Sequence, residues 1–273
     1  MARLLKLYLN IFVILCLFSC QTKREKAEEA YSFGVTNFGQ GSAGSINGIA
    51  RAIEIDSTYE QAVYELSVAY LKRGMPHEWK AQYDKAVLLD SVTRIPWRGY
   101  LYLWFYRDYK KAIADFDASD TLTPNFTDQP QGHSVDYWRG IAYLGLKDYD
   151  NSILYFDKYI HQEIEESGED WVELTAFLYR GIAYYESGNY EKALYNFEKR
   201  LEHGRNLSAD AKYYMALIAQ QQGKIELAEE LINTAIDEFK QGYFNNRPYV
   251  ETLRQIYLED LHALKLQLHQ DNA

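Results

Sequence analysis

Apolar residues recur along much of the chain at steps of three and four positions, which places them on one face of an α-helix. The C-terminal stretch shows this spacing in a stripe of seven residues, namely Val250, Leu253, Ile256, Tyr257, Leu261, Leu264 and Leu268. Pro248 can occupy the first turn of such a helix, because the N–H group that proline lacks has no intrahelical partner there. The pattern predicts an amphipathic helix over residues 248–269.

A second pattern is an internal repeat. The pentapeptide Arg-Gly-Ile-Ala-Tyr occurs at residues 139–143 and again at 180–184, each time ahead of another amphipathic run. With the two glycines in register, small or intermediate residues recur on a first helix at Ser67, Tyr100, Gly140, Gly181 and Ala216, and on a second helix at Trp79, Ala112, Ser152, Ala193 and Ala228. Because one helix pair cannot bury its apolar face alone, we expect the pairs to stack on one another.

These offsets, with aromatic residues following on the second helix at Tyr83, Phe116, Phe156 and Phe197, resemble the tetratricopeptide repeat. The resemblance implies an all-α fold, a right-handed α-solenoid of about six helix pairs over residues 25–270 with a C-terminal capping helix at 248–269. The repeats would span approximately residues 25–56, 58–91, 93–124, 133–166, 171–204 and 208–241. Tyr100 and Trp79 are too large for the family's helix crossing, so the second and third pairs are expected to be splayed or shifted.

The first residues have the pattern of a secretory leader. Arg3 and Lys6 precede an apolar run that ends at Phe18, and this run is too short to span a bilayer. The sequence Leu-Phe-Ser-Cys at residues 17–20 resembles the lipobox of bacterial lipoproteins. The resemblance implies a signal peptide over residues 1–19, lipidation of Cys20, a tether over 20–24, and a place on the outer membrane of a bacterial cell envelope, facing the periplasm. A chance cysteine ahead of a simple secretory cleavage is the alternative.

Net charge and the lack of catalytic motifs restrict the classes of function that the sequence allows. The formal net charge of −10 at pH 7 disfavours a nucleic-acid partner, since phosphate binding needs a basic footprint. We find no glycine-rich phosphate loop, nucleophile elbow or cysteine–histidine pair in the sequence. His262 and His269 share a helix face but lack a short-spaced third ligand. We therefore expect no enzymatic activity, no cofactor and no metal.

The resemblance also implies a binding surface, because first helices line the concave groove of tetratricopeptide repeats. Carrying that face onto this register gives ten candidate residues: Tyr64, Arg94, Trp97, Arg98, Leu101, Trp104, Tyr137, Ile141, Leu144 and Tyr185. Tyr, Trp and Arg often dominate binding energy at interfaces. Our hypothesis is that the groove holds a peptide or helix of a protein partner, with Arg94 and Arg98 pairing a carboxylate. In the alternative, these side chains fill the interior of a tight solenoid.

Two functions remain open on these grounds. The first is a lipid-anchored scaffold that binds a protein or peptide partner at the envelope in an assembly or recruitment role. The second is an envelope binding module for a soluble ligand, a glycan or a peptide, with the aromatic residues as stacking platforms. The acidic stretch at 161–170 is either a solvated helix end or a contact lip. For the duplicated Arg139 and Arg180 we expect a structural role.

Overall fold

The structure, a computed structural model, describes residues 21–271. The predicted leader and the predicted lipidation site at Cys20 lie outside the described residues. Residues 21–271 are all-α, with thirteen α-helices and no β-strand, and none of these helices is both long and apolar enough to cross a membrane. The chain forms two compact units, divided between Arg94 and Ile95.

The helices follow one another as antiparallel pairs. The first unit holds α1 (Lys23–Asn37), α2 (Ala43–Ile55), α3 (Glu60–Lys72) and α4 (Pro76–Leu89), and α5 (Ser91–Leu101) runs across the division. The second unit continues with α6 (Tyr109–Leu122), α7 (Val135–Gly145), α8 (Tyr149–Glu166), α9 (Leu174–Glu186), α10 (Tyr190–His203), α11 (Ala209–Gln221), α12 (Ile225–Lys240) and α13 (Leu258–Asp271). Each odd-numbered helix from α1 to α11 is the first helix of a pair, as in an α-solenoid.

The chain becomes helical earlier than the predicted tether allows. Helix α1 begins at Lys23, within residues 20–24, because Thr22 forms a capping box with Glu25. The Thr22 hydroxyl accepts a hydrogen bond from the Glu25 N–H group at 3.1 Å, and the Glu25 carboxylate accepts one from the Thr22 N–H group at 2.6 Å. Two backbone donors that a helix leaves unpaired are thus satisfied.

The pairs α7/α8 and α9/α10 cross where an aromatic ring of the second helix lies on a glycine of the first. A Cβ atom on Gly140 would stand 2.9 Å from the Phe156 ring, and one on Gly181 would stand 2.6 Å from the Phe197 ring. The Ser152 hydroxyl also donates a hydrogen bond to the Gly140 carbonyl at 2.8 Å across the same crossing. The missing side chain therefore sets how closely the two helices approach.

In the third pair, α5 and α6, the helices cross one residue earlier than the sequence register predicted. Its crossing glycine is Gly99, whose added Cβ atom would lie 2.6 Å from the Phe116 ring, and the expected crossing residue Tyr100 is its neighbour. The extra residue is accommodated by a π-helical segment at Tyr102–Tyr106, which ends at Arg107 in the left-handed region with φ of 53°. A π-helix closes its hydrogen bonds over five residues instead of four, so its turn takes up one more residue than an α-helical turn. The pair keeps its close crossing, so it is shifted in register and not splayed.

The duplicated arginines connect helix pairs, as expected for a structural role. Arg139 is buried, and its guanidinium group reaches Asp117 at 3.1 Å and Asp120 at 2.5 Å on α6, and Asp136 at 2.6 Å on α7. The equivalent Arg180 of α9 donates to the carboxylate of Asp157 on α8 and to the side-chain carbonyl of Asn196 on α10. Charge-assisted bonds of this kind fix the orientation of neighbouring helices.

The C-terminal helix begins ten residues after its predicted start. Helix α13 starts at Leu258, and its buried Leu261, Leu264 and Leu268 pack with α11 and α12 in one apolar cluster. Residues 248–257 are not helical, and Tyr249 and Arg254 have φ of 71° and 57°, which an α-helix does not permit. We name the non-helical residues 241–257 the strap. Some of its backbone groups bond to other helices instead, as the Tyr243 carbonyl and the Asn245 N–H group do to α11.

We predict that Gly48→Ala destabilises the first helix pair. A Cβ atom on Gly48 would lie 2.5 Å from the Gly34 Cα atom, a backbone atom that cannot rotate away. The cost should be about 1–3 kcal/mol in the free energy of unfolding, measured by denaturant titration. Gly39→Ala is the matched control, because no atom lies within 4 Å of its added Cβ. Equal stability of the two variants would contradict the close crossing of α1 and α2.

Candidate functional site

The first helices of the second unit present a common face, and the strap lies on it. We call the surface formed by the second-unit part of α5 with its π-helical extension, α7, α9 and α11 the first-helix face. The strap leaves α12, contacts α11 and α9, reaches α7 and α5, and returns past the far ends of α7 and α9 to α13. The candidate groove in this unit is thus occupied by the chain itself.

The strap's outward arm, residues 243–251, begins with hydrogen bonds to α11 and α9. The Tyr243 carbonyl accepts a hydrogen bond from the Ala209 N–H group at 2.9 Å. Asn245 donates its N–H group to the Asp210 carboxylate at 2.7 Å and its side-chain amide to the Tyr179 hydroxyl at 2.9 Å. One of these bonds joins two backbones, and the other two join the arm to side chains of the face.

At α5 and α7 the arm inserts Arg247 among three aromatic rings. Its Cζ atom lies 4.4 Å from the centroid of the Trp104 ring, 5.4 Å from Trp138 and 5.6 Å from Tyr100. Its Nη2 atom also donates to the Tyr100 hydroxyl at 2.6 Å. A guanidinium group within about 6 Å of several ring faces is attracted to each of them, most strongly where water is excluded. We call Tyr100, Trp104 and Trp138 the aromatic cage.

The return arm, residues 252–257, is held by burial as well as by charge. Arg254 forms a bidentate ion pair with Glu186 at 2.5 and 2.8 Å. Thr252, Leu253 and Ile256 are buried, whereas no residue of the outward arm is. The two arms therefore differ in how firmly they are attached: polar contacts, ring contacts and the half-buried Phe244 hold the outward arm, whereas fully buried apolar side chains anchor the return arm.

The predicted groove residues of α7 and α9 mostly belong to the interior. Tyr137, Ile141 and Leu144 are buried, and the Tyr137 hydroxyl shares a hydrogen bond with Thr175 at 2.6 Å. Burial raises the pKa of Tyr137 well above its ordinary value. Tyr185 is half-buried and packs edge-on against Tyr214. For these four residues the structure supports the alternative in which side chains fill a tight solenoid.

The predicted residues of the third pair divide between interior and surface. Leu101 and Trp104 are buried, Trp104 as part of the aromatic cage. Trp97 is half-buried, and its ring meets the Tyr100 ring edge-on at 6.0 Å. Because of the one-residue shift, Tyr100 takes the position on the face that the sequence register gave to Leu101.

The structure corrects the expectation that Arg94 and Arg98 pair a carboxylate of a partner. In the first unit, Arg94 binds Glu60 through two hydrogen bonds of 2.5 and 3.0 Å, and its Cζ atom lies 3.8 Å from the ring of the half-buried Tyr64. In the second unit, Arg98 binds Asp115 of α6 at 2.8 and 2.7 Å. Both guanidinium groups are matched by carboxylates of the chain itself, which is the geometry that Arg–carboxylate pairs favour.

Sequence reasoning missed Tyr100, Trp138, Tyr179 and Arg247, although part of the signal is present. An aromatic residue, arginine and glycine occur together at residues 97–99, 138–140 and 179–181, with equal spacing between copies. Aligning these three tripeptides would have placed Gly99 at the crossing and Tyr100 on the face. No comparable pattern marks Arg247, because its ring partners are distant in sequence.

Part of the acidic stretch at 161–170 is paired with basic side chains of α10. Glu169 pairs with Lys199 of α10 at 3.0 Å, and the His203 ring contacts Asp170 at 3.0 Å. Trp171 directly after it is 74% exposed. Over residues 21–271, no group of His, Cys, Asp and Glu side chains has an arrangement able to hold a metal ion.

Comparisons with known proteins identify the repeat. Residues 178–243 match the family model described as tetratricopeptide repeat, while no curated protein sequence matches the chain. PilW, described as a widely conserved type IV pilus biogenesis factor, has a similar structure, with a TM-score of 0.61, 16% identity, and coverage of 90% of this chain and 99% of PilW. The pilF protein of Pseudomonas aeruginosa aligns at 0.57 and 18% identity, covering 81% of this chain and 98% of its own.

A third similar structure is that of YrrB, described as a TPR protein with an unusual peptide-binding site. Its TM-score is 0.54 at 20% identity, with coverage of 84% of this chain and 99% of YrrB. At such identities the likeness establishes the fold. Together with the family match, it confirms an all-α repeat architecture of the α-solenoid class.

We predict that Asp210 makes stability depend on pH. Burial raises its pKa to about 6, against which the hydrogen bond from Asn245 and the charge of Arg200 act only in part. A carboxyl group whose folded pKa exceeds its unfolded value of 3.8 contributes stability that is complete below pH 4 and is lost as the pH rises through 6. Relative to Asp210→Asn, the free energy of unfolding of the wild-type chain should fall by roughly 2 kcal/mol between pH 4 and pH 7.

Denaturant titrations at several pH values measure this difference. Asp237→Asn, on the exposed side of α12, is the control and should follow the wild-type curve. A constant difference between wild type and Asp210→Asn over this pH range would show that Asp210 is not buried as a carboxylate at neutral pH.

Proposed function

We propose that the chain, whose residues 178–243 match the tetratricopeptide repeat and whose fold is that of tetratricopeptide repeat structures, is a scaffold at the bacterial cell envelope, whose first-helix face binds a protein partner through an extended peptide segment. The observation that carries the proposal is the strap. It shows that this face accommodates extended polypeptide, through the backbone contact at Ala209 and the side-chain contacts at Asp210, Tyr179 and the aromatic cage. A surface that binds one such segment has the donors, acceptors and ring faces to bind another.

Anchoring to the membrane is the second part of the proposal. The apolar leader, the lipobox-like residues 17–20 and the helix start at Lys23, three residues after Cys20, support a solenoid held close to the lipid surface. Two or more acyl chains on one residue anchor a protein durably, whereas one chain does so only marginally. An assembly role agrees with the description of the structurally similar PilW as a pilus biogenesis factor.

A scaffold is better supported than a glycan-binding module. Stacking on a sugar requires an open aromatic face, but Trp104 and Trp138 are 1% and 0% exposed while the strap is in place. The exposed aromatic residues of α10 and of the segment after α8, Tyr195 and Trp171, lie apart from the first-helix face. We also propose that the chain is not an enzyme, because its role follows from contacts along a repeat surface.

Photocrosslinking in the native host tests partner binding. A photoreactive amino acid at the half-buried Trp97 on the first-helix face should crosslink a protein partner, identified by mass spectrometry. The same amino acid at Tyr195, 53% exposed on α10, is the control for random encounters. Equal crosslinking at both positions, or none at Trp97 under conditions where the protein is folded and correctly localised, would refute binding at this face.

Cell fractionation tests the anchor. Cys20→Ser should move the protein from the membrane to the soluble periplasmic fraction, because the thiol that accepts the lipid is gone. Intact-mass measurement of the membrane-extracted wild type should show acyl chains on residue 20. An unmodified Cys20, or membrane association that survives the substitution, would leave the scaffold proposal standing without its lipid anchor.

A further inference from the structure

We propose that the outward arm of the strap is a built-in competitor for a guanidinium site, and that the partner displaces it by presenting an arginine, within an extended segment, to Tyr100, Trp104 and Trp138. This proposal rests on the proposed function, that the first-helix face binds a protein segment. It adds the chemistry of that segment and the reason why the face is closed when no partner is bound.

The aromatic cage is selective for arginine. Three rings from two helices surround the Arg247 guanidinium, and one of them also accepts a hydrogen bond through its hydroxyl. A planar guanidinium can stack on a ring and donate to an oxygen at the same time, whereas the compact, strongly hydrated ammonium of lysine cannot do both in the same way. Arginine in the partner should therefore be preferred to lysine at this position.

The outward arm is built to be released. None of its residues is buried. It is held by hydrogen bonds and ring contacts of Tyr243, Asn245 and Arg247, by the Glu251 carbonyl, which accepts a hydrogen bond from Arg107, and by Phe244, whose half-buried ring stacks on Phe239 of α12. Tyr249 at its tip has φ of 71° and is 85% exposed. A non-glycine residue in this region of backbone space is strained, and such strain is common where a segment switches between states. The buried Leu253 and Ile256 would keep the return arm in place when the outward arm leaves.

The outward arm also leaves two hydrogen-bond donors of the first-helix face without an acceptor. Trp104 Nε1 and Arg107 Nη1 are buried without a hydrogen-bond acceptor among residues 21–271 while the strap is bound. Buried donors are normally paired, so an unpaired one requires an explanation. Trp104 is itself a cage residue, and Arg107 directly follows the π-helical segment that contains it. A partner segment that brings an acceptor to this point would bind with a hydrogen bond that the strap does not provide.

Charge favours a basic competitor. The whole chain carries a formal net charge of −10. Complementary charge speeds the encounter of partners more than it adds to their affinity. An arginine-bearing segment would thus be attracted to the surface before it competes for the cage.

Peptide binding to the full-length chain tests this proposal. The probe is a fluorescent peptide with the sequence of residues 243–251, and fluorescence anisotropy measures its affinity. In Arg247→Ala the cage loses its internal occupant, so this variant should bind the probe at least about tenfold more tightly than the wild type, because the competition is removed. Arg51→Ala, an exposed arginine of the first unit, is the control for the loss of one positive charge and should bind like the wild type. A probe with lysine in place of arginine should bind more weakly, and one with alanine should not bind.

A second measurement covers the possibility that Arg247→Ala is less well folded. Hydrogen exchange of residues 243–251 in the wild-type chain should accelerate when the probe is added at saturating concentration, while exchange in α13 should not change. No acceleration, or equal affinity of Arg247→Ala and wild type for the probe at unchanged helix content, would overturn the proposal. If crosslinking from Trp97 still captured a partner in that case, the scaffold function would stand and only the arginine-exchange mechanism would fall.

Discussion

Three helix pairs of the second unit, α5/α6, α7/α8 and α9/α10, depend on one steric condition, that an aromatic ring of the second helix can rest on a residue without a side chain in the first. Gly99, Gly140 and Gly181 each lie under the ring of Phe116, Phe156 or Phe197 at distances that a Cβ atom would violate. Because dispersion attraction falls steeply with separation, this approach gives the pair its packing. The condition is strong enough that the third pair adopts a π-helical segment to preserve it.

The close crossing also fixes the positions of the two residues before each glycine, one of which joins helices while the other contacts the strap. The arginine before it joins helices within and between pairs, as Arg139 and Arg180 show. The aromatic residue one position earlier, Trp138 or Tyr179, turns toward the strap. Structural and binding roles therefore alternate along one short stretch of each first helix, and a change in the crossing would displace both.

The strap converts a repeat surface into a surface with a resident occupant. Its attachment is uneven: Leu253 and Ile256 bury apolar area, whereas Arg247 relies on ring faces and one hydroxyl. The first-helix face is therefore covered firmly by the return arm and less firmly by the outward arm. A scaffold that exposed the cage permanently would present a large aromatic patch to solvent, and such patches promote unspecific association. Occupation by the chain's own segment avoids that exposure until a competitor arrives.

The sequence by itself determined the helical class, the repeat and the structural use of Arg139 and Arg180, because helical periodicity and the offset between crossing residues act over a few turns. It placed buried residues such as Ile141 on the first helices but could not tell a core position from a groove position. The tertiary structure alone decided the register at Gly99, the pairing of Arg94 with Glu60 and of Arg98 with Asp115, and the non-helical path of residues 241–257. Arg247 meets Tyr100 across 147 positions of sequence, and no local pattern can report a contact that exists only after the helices between them have stacked.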